Sequence, residues 1–215
     1  MKSKIQNPKS KILICGFGGQ GVIFAGELLG RAAIIAGREA AESSSYGSES
    51  RGSACHSGVV IADAPIAYPK VERPDILIAL SQDSYDKFAP RVKPGGQIFF
   101  DCHLIKMKKL EGVDQTGIPA MHLATQLGRK GVANVVMLAA AMANLRGAPT
   151  SVGESQLKPD LQASRATHPN LPSREALEQA LREQSPAAYL EVNLKAVEAG
   201  WGISEKVIRQ QSESG

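Results

Sequence analysis

A chain of 215 residues, 43% of them hydrophobic and 21% charged, is long enough for one α/β domain with a full core plus an appendage. The net charge of +4 is mild, and the basic residues are scattered apart from Lys106, Lys108 and Lys109, with no interleaved aromatics, which argues against nucleic acid. Three well-separated cysteines, Cys15, Cys55 and Cys102, point to reduced thiols in a cytoplasm, and no segment reads as a signal peptide or a membrane span.

Residues 1–10 form a polar tail. The apolar run from Lys11 to Cys15 predicts a buried strand. It empties into Gly16-Phe17-Gly18-Gly19-Gln20-Gly21, and a helical pattern over about 21–36 follows, with Val22, Ala25, Leu28, Leu29, Ala32 and Ala33 on its apolar face. Gly37 stops that helix. Glu27 and Arg31 stand i,i+4 on its solvent side, the spacing at which helix side chains are neighbours. A short strand is expected near 38–41, then a polar segment over 42–53. Val59–Ile61, Ile76–Leu80 and Gln97–Asp101 predict further strands, with a helix over 81–89 between the last two.

The second half reads as helical. Ala133–Leu145 is apolar enough for a buried helix. Residues 147–172 carry four prolines and little periodicity, and read as an exposed insertion. Ser173 suits a helix cap ahead of Leu177 and Leu181, and Pro186 opens a last helix with the stripe Leu190, Leu194, Val197 and Trp201. The expected organisation is thus a tail (1–10), a Rossmann-like core (11–146), the insertion (147–172), C-terminal helices completing the domain (173–204) and a polar tail (205–215). The expected fold class is α/β, a mostly parallel sheet with helices on both faces and a helical C-terminal appendage.

Gly16, Gly18 and Gly21 match the GxGxxG spacing of a phosphate-cradling turn, in which a helix N-terminus faces an anion. A ligand-free tight turn explains the same glycines equally well. A nicotinamide enzyme also wants an acidic residue ending the second strand, about 20 residues on; Glu39 and Glu42 lie at that distance without a clear strand before them. In the loop Ser45–Ser53, Tyr46, Glu49 and Arg51 sit between glycines, and the arginine fork suits a carboxylate or phosphate. Cys55-His56 and Cys102-His103 suggest zinc, but neighbours on a strand point to opposite faces, so no metal site is expected. Asp101 ends a strand, either at the ligand-binding edge of the sheet or as a turn former.

Gly16–Gly21, Ser45–Gly52, Pro74–Ala79, Gly95-Gly96, Ala133–Leu138 and Glu191–Asn193, in that order, resemble the gamma subunit of 2-oxoacid:ferredoxin oxidoreductases, and look closest to the 2-oxoglutarate type. Arg51-Gly52-Ser53 departs from the family's usual Arg-Gly-Gly. The resemblance implies oxidative decarboxylation of a 2-oxoacid with coenzyme A and ferredoxin, using thiamine diphosphate, Mg2+ and iron–sulfur clusters. The chain has no Cys-x2-Cys-x2-Cys group and no Gly-Asp-Gly…Asn signature. The cofactors are therefore expected in partner subunits, with this chain lacking a catalytic residue of its own. Gly16, Gly18, Gly19, Gln20, Gly21, Tyr46, Glu49 and Arg51 are expected at the active-centre boundary, touching coenzyme A or a partner. The alternative is an NAD(P)-binding Rossmann oxidoreductase.

Overall fold

The computed structural model describes residues 9–45, 54–146, 168 and 170–203. Its six strands are β1 (Ser10–Phe17), β2 (Glu39–Ser45), β3 (Ala54–Ala62), β4 (Ile76–Ala79), β5 (Gln97–Asp101) and β6 (Asp114–Ile118), in the sheet order β2-β3-β1-β4-β5-β6. The β1–β4, β4–β5 and β5–β6 pairs are parallel, and β3 runs antiparallel to both β1 and β2. The sheet is thus mostly parallel, with β3 as the one reversed strand.

Helices cover both faces. On one lie α1 (Val22–Ile35), α3 (Ala120–Gln126), α4 (Ala133–Leu145), α5 (Arg174–Gln184) and α6 (Ala187–Ile203), packed on Ile12, Ile14, Val59, Ile61, Ile76, Ile78 and Phe99. On the other, α2 (Gln82–Phe88) brings Tyr85 and Phe88 onto Leu13, Cys15, Leu77, Ala79, Ile98 and Phe100. β4 is buried along its whole length, as its unbroken apolar run requires when both faces are covered. In α4 every residue but Asn144 is buried. A helix apolar all round needs neighbours on every side, and the sheet, α1 and α6 supply them.

Three expectations are corrected. The strand expected over 38–41 extends to Ser45. As an edge strand it needs little apolar surface, and its polar residues are used internally, Glu42 accepting from the hydroxyls of Ser57 (2.7 Å) and Ser44. The second half is not all helical, because Asp114–Ile118 adds β6. Arg31 pairs with Glu183 of α5. The seam of α6 is made of Asn193, Ala196, Val197 and Gly200, with Leu190, Leu194 and Trp201 only partly buried around it. The small residues let two backbones meet: a Cβ on Gly200 would stand 2.3 Å from the Val136 carbonyl oxygen of α4. Other expectations stand: Gly37 ends α1 at φ 74°, and the Ser173 hydroxyl accepts from the Ala176 N–H to cap α5.

Most of the 147–172 stretch lies outside the described residues. At its end, the His168 N–H donates to the Leu145 carbonyl and Leu171 is buried.

Candidate active-centre cleft at the sheet switch point

The first crossover, through α1, leaves β1 toward β2, β3 returns between them, and β4 to β6 lie on the other side of β1. The carboxyl ends of β1 and β4 therefore flank the crevice where open α/β sheets bind ligands. The glycine turn sits there. The Gln20 N–H donates to the Phe17 carbonyl and closes it. Gly19 (φ 98°) and Gly21 (φ 71°) hold the left-handed backbone that glycine adopts without strain.

What the turn cradles is part of this chain. Gln20 Oε1 accepts from the Phe17 N–H (2.7 Å) and its Nε2 donates to the Leu80 carbonyl (3.0 Å), so one amide links the exits of β1 and β4. A Cβ on Gly16 would meet Gln20 Oε1 at 2.5 Å, and one on Gly21 would meet Asn134 Nδ2 at 2.2 Å. Asn134, at the start of α4, donates from that Nδ2 to the Gly21 carbonyl (2.9 Å). Nothing lies within 4 Å of a Cβ placed on Gly19, which faces open space. The Gly16 carbonyl, turned to the other face, accepts from the buried Ser84 hydroxyl of α2.

A cleft of about 200 Å³ opens beside the turn, lined by Gly19, Gln20, Leu80, Asp101, Lys130 and Asn134 among others. Asp101 is 1% exposed, and its carboxylate accepts from the N–H groups of His103 (3.0 Å) and Met121 (2.7 Å), so it fixes the turn after β5 and the start of α3. It is a turn former, placed where β5 ends and lining the cleft. A second cleft of about 250 Å³ adjoins the first across Gly131 and Asn134, and runs over Phe24 and Tyr189. The Arg129 guanidinium lies over the Tyr189 ring, 3.9 Å from its centre. Among the described residues neither Arg129 nor Lys130 forms a salt bridge. Two cations without carboxylate partners, beside the first turn of α1, make this edge attractive to an anion.

Tyr46, Glu49 and Arg51 lie outside the described residues. The chain enters and leaves their segment at this same edge, because Ser45 pairs with His56 and Ala54 pairs with Phe17 at the exit of β1. The structure thus brings together Gly16, Gly18, Gly19, Gln20 and Gly21 and adds Arg129, Lys130 and Asn134. Asn134 was visible as a polar residue opening an apolar helix. Arg129 and Lys130 had no such signal, since their role depends on the 3-10 turn Lys130–Val132 reaching the edge of the sheet.

No thiol here is activated. Burial pushes Cys15 far up, Cys55 is raised for the same reason, and Cys102 is raised by burial and by the Asp101 charge. Cys55 faces the α1 layer while His56 lies against Phe88 on the other face, as strand alternation demands. Among the described residues no group of three His, Cys, Asp or Glu side chains is placed to hold a metal ion, and no helix is long and apolar enough to cross a membrane.

The site differs from a dinucleotide cradle in two ways. Gln20 occupies the space beside Gly16, and β3 separates β1 from β2, so Glu39 and Glu42 sit one strand further from the turn than a ribose-binding carboxylate requires. What remains is an α/β domain with a cleft at its switch point, the layout in which open α/β sheets hold their ligands.

The comparisons with known proteins agree. Residues 11–203 match the pyruvate ferredoxin/flavodoxin oxidoreductase family, and this chain belongs to that family. It is 37% identical to the 2-oxoglutarate synthase subunit KorC of Methanocaldococcus jannaschii, over 93% of this chain and 96% of that protein. The ketoisovalerate oxidoreductase subunit VorA of Methanothermobacter thermautotrophicus is 40% identical over 63% of this chain but only 28% of its own length. Among solved structures, the gamma subunit of a keto/oxoacid ferredoxin oxidoreductase from Geobacter sulfurreducens superposes with a TM-score of 0.69 and 31% identity, covering 91% of this chain and 98% of that one. The 2-oxoglutarate:ferredoxin oxidoreductase of Magnetococcus marinus, solved with 2-oxoglutarate, coenzyme A and succinyl-CoA bound, shares the fold over 96% of this chain and 33% of its own (TM-score 0.72, 19% identity).

Proposed function

We propose that this chain is the gamma subunit of a 2-oxoglutarate:ferredoxin oxidoreductase, acting in the cytoplasm with thiamine-binding and iron–sulfur partner subunits. The assembled enzyme oxidatively decarboxylates 2-oxoglutarate with coenzyme A, yielding succinyl-CoA, carbon dioxide and reduced ferredoxin. Thiamine diphosphate with Mg2+ supplies the electron sink for decarboxylation, and clusters carry the electrons away, both in partner chains. The end-to-end similarity to KorC supports the substrate choice.

The role of this chain is to bind and position. The observation that carries this reading is the pair of cations Arg129 and Lys130, neither with a carboxylate partner among the described residues, lining two adjoining clefts at the switch point near the exposed Gly19. Their charges suit the phosphates of coenzyme A, and the apolar cleft over Phe24 and Tyr189 suits its less polar parts. Arg51, which lies with Tyr46 and Glu49 between β2 and β3 in sequence, is proposed as a further contact to the phosphates, its guanidinium fork suiting them.

Anaerobic affinity purification of this chain from its native extract, assayed for 2-oxoacid-dependent viologen reduction, tests the assignment. Thiamine and cluster subunits should co-purify, with coenzyme A-dependent activity highest on 2-oxoglutarate. A chain that purifies alone and binds NAD saturably would overturn the reading. Within the complex, Lys130→Ala and Arg51→Ala should each raise KM for coenzyme A about tenfold with kcat little changed, because they remove a charge-assisted contact made equally in ground and transition states. Unchanged KM in both would refute the site.

A further inference from the structure

The face of the sheet opposite the switch-point helices carries a second concavity that the proposed function does not use. It measures about 360 Å³ and is lined by Leu13, Ser43, His56, Gly58, Val71 and Arg91, with Lys70 and Glu72 at its mouth. The volume falls within the range of small-metabolite pockets. It exists because α2 is only two turns long and leaves the β1–β3–β2 end of this face to the loop that carries Val71. The floor at Gly58 is bare backbone, where a Cβ would press on Val71 (3.1 Å) and on the Ser43 hydroxyl (3.3 Å).

Its charges are unbalanced. Lys87 and Arg91 both lean on the Phe88 ring, Lys87 Nζ at 5.3 Å and the Arg91 guanidinium carbon at 5.2 Å from its centre. Among the described residues neither has a carboxylate partner. Lys70 has a loose contact with Glu72 at 3.6 Å, both largely exposed. Lys70, Arg91 and one carboxylate, Glu72, line the groove, and Lys87 adds a further positive charge beside its Phe88 wall. Phe88 also holds the half-buried His56 ring, 5.0 Å away and tilted by 54°. Desolvation first, then Lys87 and Arg91, keep His56 below its ordinary pKa, as expected of a group in an uncompensated positive field. Cations held on an aromatic ring rather than by carboxylates keep their donors free, and a concave wall concentrates their field.

We propose that this groove is a binding site for a small oxyanion ligand, a phosphate ester or a carboxylate, with Arg91 supplying the contacting charge, Lys87 adding to the positive field from behind Phe88, His56 and Ser43 further hydrogen bonds, and Val71 and Leu13 the apolar wall. The groove shares no lining residue with the switch-point clefts.

Titration calorimetry of the full chain in phosphate-free buffer tests it, with inorganic phosphate in one arm and succinate in the other, alongside NMR of the His56 imidazole. At least one arm should saturate at or below about 10 mM, a weak single-site affinity. His56 should titrate at higher pH when the site is filled, because a bound anion offsets the two cations. Arg91→Ala should weaken binding about tenfold, the effect of removing one charge-assisted hydrogen bond. Saturation by phosphate alone makes the ligand a phosphate ester, and saturation by succinate alone a carboxylate. No saturation in either arm overturns the proposal, as does saturation with no His56 shift. Binding that survives Arg91→Ala but is lost in Lys130→Ala also overturns it, since it assigns the anion to the other cleft.

Discussion

The two faces of the sheet are built on different terms. The α1/α4 face is a closed apolar layer in which α4 is buried on every side and α6 approaches it to backbone contact at Gly200. The α2 face is a single short helix and a loop, with cations around an open groove. The thick face carries stability through dispersion and burial. The thin face leaves polar groups accessible and free to meet a ligand. Away from the switch point, close packing and an open groove are thus separated across one sheet, and four measurements probe that separation.

The largest effect is expected at the α4–α6 seam. Gly200→Val places a Cβ against the Val136 carbonyl and should cost about 3 kcal/mol in urea denaturation, because neither backbone can retreat without opening the core. A loss below about 1 kcal/mol would show that the thick face is not close-packed there. Next comes the switch point. Gln20→Ala removes both hydrogen bonds of the amide and leaves the Phe17 N–H and Leu80 carbonyl without that partner, at a cost of about 1.5 kcal/mol. The same variant opens the space beside Gly16, so NAD titration of Gln20→Ala checks directly whether the side chain is what fills the cradle.

Smaller still are the surface charges. Arg91→Ala on the thin face and Arg31→Ala, which breaks the pair with Glu183, should each shift stability by less than about 0.5 kcal/mol. A large loss at Arg91 would mean that the thin face depends on its cations for folding, and the contrast would fail.

The smallest effect is the pH response. Burial lowers the pKa of both His56 and His168 below the ordinary value near 6.5. The unfolded chain therefore binds more protons than the folded one in that range, so stability rises with pH there. The contribution is complete above about 6.5 and is lost as pH falls through the folded values. Urea midpoints between pH 8 and pH 5 should decline, and His56→Asn with His168→Asn should flatten the decline.

The interior of the fold was legible because its rules are local. Lys11–Cys15, Ile76–Leu80 and Gln97–Asp101 are apolar runs bounded by turns, and Ala133–Leu145 has no polar face. The edges were less legible. Glu42–Ser45 and Asp114–Ile118 have almost no apolar signal because an edge strand needs only one partner, and β3 gives no local sign that it runs antiparallel between β1 and β2. The glycine turn was found with its position right, while its contents were hidden: that Gln20 lies back on Gly16 is a tertiary fact involving Leu80, sixty residues on. Arg129 and Lys130 were hidden for the same reason, since only the packing of α4 brings the turn before it to the sheet edge.

The burial of α4 also bears on biosynthesis. Its apolar surface is complete once residue 145 has been made, but the helix that covers its last side spans residues 187–203. Between those two moments the growing chain presents an uncovered apolar cylinder, the kind of surface that associates with other chains or calls for a chaperone. A polypeptide stopped after α5 should therefore be insoluble even though every strand of its sheet has already been synthesised.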